Sequence, residues 1–193
     1  RRLAALGLVF TLLCVATMPL VSINVEAARI VVWDGGGADN LASTAANWAG
    51  DVVPGAGDNI IFDATSTKDC TWDLAIPNLG SFSMLNGYTG TISQAANVGV
   101  TDLIVEAGTL TGSISYWWTA SGDVINSGGT VSPAVLRLNM TGTGKMLSGS
   151  FNLRALNVYG SISTDTILTV YNLEIGPGKV LNLGNALVLN LFA

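Results

Sequence analysis

The chain has 193 residues, of which only 11% are charged, against about 25% in an average soluble domain; its 8 basic and 13 acidic side chains give a net charge of −5. That length suits one folded unit with a continuous core, and the acidic balance leaves no positive footprint for nucleic acid. Histidine is absent, which removes Ser-His and Cys-His catalytic pairs, imidazole bases and histidine-ligated zinc or haem.

Arg1 and Arg2 precede an uncharged apolar run over residues 3–18, and Val25-Glu26-Ala27-Ala28 follows as a small-residue exit. This is the layout of a secretory signal, with Val25 and Ala27 at the −3 and −1 positions of the cleavage site and Ala28 after it. Residues 1–27 are therefore expected to be a signal peptide or a retained hydrophobic helix. As a helix, the run is about 24 Å long, short of the roughly 30 Å hydrocarbon core, so membrane anchoring competes with cleavage. A retained helix would equally serve as the apolar core of a pilus-like filament. Membrane contact is expected through this segment alone, and the rest of the chain outside the cell or on its surface. Cys14 follows Leu13 rather than a small residue and does not read as a lipid site; removal of the segment leaves Cys70 without a disulfide partner.

Residues 28–87 read as a capping segment rich in Asp and Trp. Asp34, Asp39, Asp58 and Asp63 are the candidate metal ligands, since oxygen donors on flexible backbone are what calcium takes. Their spacing matches no EF-hand, and Asp beside Gly or Asn is ordinary turn chemistry, which is the favoured reading. Trp33, Trp48 and Trp72 are expected to plug the end of a core, with a sugar-stacking platform as the alternative.

From residue 88 the chain turns repetitive. The triplets starting at Leu138, Leu156, Leu173 and Leu189 return after 18, 17 and 16 residues. A second set begins at Lys145, Ser161 and Lys179, and an earlier Gly-Thr set at Gly90, Gly108 and Gly129. The period is too short for crossovers that contain a helix, but it suits coils whose parallel strands lie on the coil below. One coil cannot bury an apolar face alone, whereas stacked coils line up Leu, Val, Ile and Met in a narrow column. The expected fold is all-β: a parallel β-helix over residues 88–193, with its last coils possible in a longer chain and a short hydrophobic helix at the N-terminus.

The stretch Leu168-Thr169-Val170-Tyr171-Asn172-Leu173-Glu174-Ile175-Gly176-Pro177-Gly178-Lys179-Val180-Leu181-Asn182-Leu183-Gly184 resembles a coil of β-strand-repeat surface proteins, including autotransporter-passenger-like β-helices. Trp33-Asp34-Gly35-Gly36-Gly37, Asn47-Trp48, Val53-Pro54-Gly55-Ala56-Gly57-Asp58 and Ile60-Ile61-Phe62-Asp63 are similar to the module that precedes such repeats in exported microbial proteins. The resemblance implies a right-handed parallel β-helix displayed outside the cell, in a family with many adhesive or structural members.

Within the coils, Trp117 and Trp118 are the candidate interaction surface, because neighbours on a strand point to opposite faces and one ring should be exposed. Arg137 and Arg154, 17 residues apart, are expected to stack on successive coils, either as a grip for an acidic sugar or as a solvated face. Asn139 heads a glycosylation sequon and is equally suited to a side-chain ladder. Carboxylates after residue 101 are too dispersed for a catalytic pair. The chain is therefore expected to be a secreted or cell-surface adhesive or structural β-solenoid, not an enzyme, with no cofactor unless calcium. Its expected partners are further copies of itself or an extracellular polysaccharide. The alternatives are the filament subunit and a carbohydrate-binding or polysaccharide-cleaving β-helix.

Overall fold

The computed structural model describes residues 27–132, 135–165, 168–184 and 189–191. The hydrophobic segment expected to be helical lies outside them. Among the described residues there is no α-helix, only a 3-10 turn at Ala45–Asn47, and no helix is long and apolar enough to cross a membrane.

Strands β1 (Ile30–Val32), β2 (Asn59–Phe62), β3 (Cys70–Trp72), β4 (Leu79–Met84), β5 (Thr91–Gln94) and β6 (Val98–Val105) open the fold. They are followed by β7 (Thr109–Thr111), β8 (Trp118–Ala120), β9 (Val124–Asn126), β10 (Thr130–Val131), β11 (Arg137–Met140) and β12 (Lys145–Gly149). The last coils contain β13 (Phe151–Val158), β14 (Ile162–Thr164), β15 (Leu168–Ile175), β16 (Leu181–Asn182) and β17 (Leu189–Leu191). Every pairing between these strands is parallel, and together they make a solenoid of about six turns.

Three ladders run along the column. On the first face Val98 pairs with Trp118, Trp118 with Leu138, Leu138 with Leu156, and Leu156 with Leu173. The second joins β1, β2, β4, the second half of β6, β9, β12, β14 and β16. The third joins β3, β5, β7 and β10. In the later coils the first halves of β13 and β15 pair with each other, and β15 then with β17. Parallel pairing thus extends upstream of residue 88, into the Asp/Trp-rich segment.

Strict alternation explains which side chains fill the column. On the first face Val98, Val100, Trp118, Ala120, Leu138, Met140, Leu156 and Val158 are buried, while Thr119, Asn139 and Asn157 between them reach the surface. The coils pack backbone on backbone at one corner, where a Cβ on Gly142 would stand 1.8 Å from the Ser121 carbonyl oxygen and one on Gly160 1.9 Å from that of Gly142. Only glycine allows that approach.

The Gly-Thr register holds: Thr91 pairs with Thr109 and Thr109 with Thr130. Two other registers differ from expectation. Leu189 lies across from Leu168, so the last return is longer than the spacing of similar triplets implied. Lys145 pairs with Ile162, and Ile162 with Leu181, one residue off the expected alignment. The shift puts Leu147, Ile162 and Thr164 inside; the expected register would pair an inward position with an outward one on the pleat.

Candidate functional site

The outward positions of the first face form a polar ladder. Thr119 pairs with Asn139, Asn139 with Asn157, and Asn157 with Glu174. Asn139 donates its amide N–H to Thr119 Oγ1 at 3.2 Å, and Asn157 donates to Asn139 Oδ1 at 3.0 Å. The Tyr159 hydroxyl donates to Glu174 Oε1 at 3.4 Å. The Asn of the sequon is therefore a half-buried rung of this ladder.

Beside the ladder, alternation splits the tryptophan pair. Trp118 points into the column with 0% exposure and offers no surface; Trp117 stands half-buried on the outside. The Arg137 guanidinium lies over the Trp117 ring, 3.9 Å from its centroid, and donates through Nη1 to the Ile114 carbonyl at 2.9 Å. The expected arginine stack is offset rather than in register, because Ala155, not Arg154, pairs with Arg137. The cause is a kink in β13, where the N–H groups of both Arg154 and Ala155 point to the Leu136 carbonyl, at 2.8 and 3.4 Å. Such a doubling resets the alternation of inward and outward side chains, and Ala155 and Leu156 are indeed buried in succession. Arg154 stays exposed, its guanidinium 5.9 Å from the Tyr171 ring.

Both arginines line one groove of about 820 Å³, together with Trp117, Asn157, Asn172 and Glu174. A second hollow of about 500 Å³ adjoins it through Trp117 and continues past Thr119 to Asn97 and Pro77. The combined depression runs across the strands, along the column. Neither Arg137 nor Arg154 is paired with a carboxylate among the described residues.

The four aspartates serve separate local structures. Asp34 accepts the Gly36 N–H at 3.0 Å. Asp39 accepts the Leu41 N–H, the Thr44 hydroxyl and the Asn47 amide; the first two, with smaller help from Asn47 and Lys68, hold its carboxyl below the usual range. The Thr65 hydroxyl and N–H do the same for Asp63. Asp58 is buried against Arg29, which donates to it through Nε at 3.1 Å and also through Nη2. Burial alone would raise the Asp58 carboxyl, but hydrogen bonds from the Arg29 side chain, the Gly55 N–H and the Arg29 N–H outweigh it and hold the carboxyl low. Among the described residues no three His, Cys, Asp or Glu side chains gather closely enough to hold a metal ion.

Trp33, Trp48 and Trp72 are wholly buried, so the rings fill the column and present no platform to sugar. The signal that a sequence reading missed is the groove itself, which depends on which residue of Trp117 and Trp118 faces out and on where β13 kinks. No protein-family model, no curated protein and no solved structure matches the chain.

Proposed function

We propose that this protein is a non-catalytic adhesive solenoid, exported to the cell surface or beyond, that makes its contacts through the groove at Trp117. The observation that carries the reading is the Arg137 guanidinium stacked on Trp117 in an open groove floored by side-chain amides. A rigid aromatic anchor with a fixed cation and adaptable amides is the chemistry of a recognition surface. The groove has one carboxylate, Glu174, among its lining residues, whereas acid-base cleavage of a glycosidic bond takes two. The secretory layout of residues 1–27, the sparse charge and the resemblance to β-strand-repeat surface proteins support an exported, adhesive role.

The test is retention on intact microbial cells and their extracellular matrix, compared between the wild-type chain and Trp117→Ala. Wild-type protein is expected to be retained and the variant to lose at least about tenfold in affinity, the equivalent of 1.4 kcal/mol. Equal retention of the two, with the variant shown to be folded, overturns the assignment of this face.

A further inference from the structure

We infer that the groove takes an acidic polysaccharide, its carboxylates set against Arg137 and Arg154 and its hydroxyls against Asn157, Asn172 and Glu174; this rests on the adhesive reading above. The first support is the distribution of charge. The chain carries a net −5, yet two guanidiniums line one groove with no carboxylate partner among the described residues. Arg29, by contrast, is bound to Asp58, and the Lys68 ammonium donates to Gly35 O, Gly37 O and Asn47 Oδ1. Arg137 and Arg154 thus stand together beside the aromatic surface, whereas Lys145 and Lys179 are not among the residues that line the groove.

The second support is geometry. Arg137 is held in place by the Trp117 ring and by its bond to the Ile114 carbonyl, so the rest of its fork is oriented before a ligand arrives. A planar guanidinium matches a planar carboxylate through two parallel hydrogen bonds, which an ammonium does not. Arg137 and Arg154 sit one residue out of register on neighbouring coils, whose parallel strands are spaced by about 4.8 Å, and the depression continues beyond Trp117 toward Pro77. That shape receives an extended chain.

The third support is charge density. Two cations beside one carboxylate, Glu174, suit a polymer of widely spaced anions; nucleic acid, with one charge per about 1.7 Å of duplex, needs many more. Asn157, Asn172 and Glu174 offer the mixed donors and acceptors that sugar hydroxyls require.

The experiment measures binding of the full chain to polygalacturonate, to the same polymer with its carboxyls methyl-esterified, to dextran and to polyglutamate. Polygalacturonate is expected to bind, and to weaken at least about tenfold in Arg137→Gln and in Arg154→Gln. Arg154→Lys should restore part of the loss, since it keeps the charge but not the fork. Lys145→Gln, a cation outside the groove, should bind as the wild type does. Arg154 is exposed, so its variants test the inference even where Arg137→Gln fails to fold. Equal binding of the esterified polymer or of dextran overturns the acidic requirement and leaves the adhesive face standing. Equal or tighter binding of polyglutamate makes the ligand an acidic peptide and overturns the inference. Failure to bind any polymer, while cell retention still depends on Trp117, overturns the polysaccharide class alone; if retention is also independent of Trp117, the adhesive reading falls with it.

Discussion

The two ends of the column are built by different means. At the N-terminal end Trp33, Trp48, Trp72, Phe62, Phe82 and Tyr88 form a connected set of rings with centroids 4.9–6.1 Å apart, and Phe82 passes the contact on to Trp118. Edge-to-face and tilted contacts of this kind add to what burial alone supplies. The ring N–H groups are satisfied by carbonyls: Trp33 donates to Lys68, Trp48 to Ala42 and Trp72 to Leu74. The long loop between β1 and β2 is tied down by the Lys68 ammonium and the buried Asn47. At the other end the described core is aliphatic apart from Phe151, and burial fades. Leu156 is fully buried, Leu173 and Leu181 are half-buried, and Ile175 and Val180 are 44% and 57% exposed. Strand β17 pairs only with residues 168–170, beyond which Leu173 and Ile175 have no paired strand on that side among the described residues. Rings joined by loops can close an end within the chain itself, whereas an aliphatic rung depends on the coil that stacks on it.

The largest expected effect is at the aromatic end. Trp48→Ala should cost about 3–5 kcal/mol in urea unfolding, because it opens a cavity where three rings meet. Cys70 gives a local readout there: it is buried, and desolvation followed by the nearby Asp73 pushes its thiol up, so in a Cys14→Ser background a thiol reagent should label it only on unfolding. Rapid labelling of the folded protein would contradict the closed end. In the column, Leu156→Ala should cost about 2–5 kcal/mol and Leu173→Ala distinctly less; equal losses would mean that burial does not fade.

Asp58→Ala should cost about 1–3 kcal/mol, less than for a fully buried pair, because the Arg29 side chain is 37% exposed. The folded carboxyl of Asp58 lies below its ordinary 3.8, as do those of Asp39 and Asp63. Groups lowered in this way contribute fully above the unfolded value and lose that contribution as pH falls through the folded one. Stability should therefore hold from neutrality down to about pH 4 and drop below it, with a shallower drop in Asp58→Ala. The smallest effect is expected from Trp117→Ala, whose contact with Arg137 is worth about 1 kcal/mol or less at the surface. A larger loss in thermal or urea unfolding would make Trp117 part of the core rather than of the contact face.

The parallel stacking was legible from repetition alone, since Gly-Thr triplets recurring at Gly90, Gly108 and Gly129 mark equivalent corners, and their strands do pair in that register. Where similar triplets sat on unequal turns, as at Lys145 and Leu189, similarity of sequence misplaced the pairing, because a strand's partner is set by the length of chain that closes each coil. The groove was legible only in its ingredients. That one of two adjacent tryptophans must face out follows from the pleat. That the outer ring is Trp117, and that it meets Arg137, follows from the register of β8 against β11.

Composition and period by themselves determined an all-β stack of short coils with a low-charge surface, because those properties depend on which residue types recur and how often. Turns for the aspartates and a tryptophan plug were already expected from the residue types; the tertiary structure alone decided that Asp58 would pair with Arg29, which rings would touch at the N-terminal end, and that Arg137 and Arg154 would share a groove. Those outcomes depend on which residues from different coils come within a few ångströms of one another, and the kink at Arg154 and Ala155 sets that for the groove.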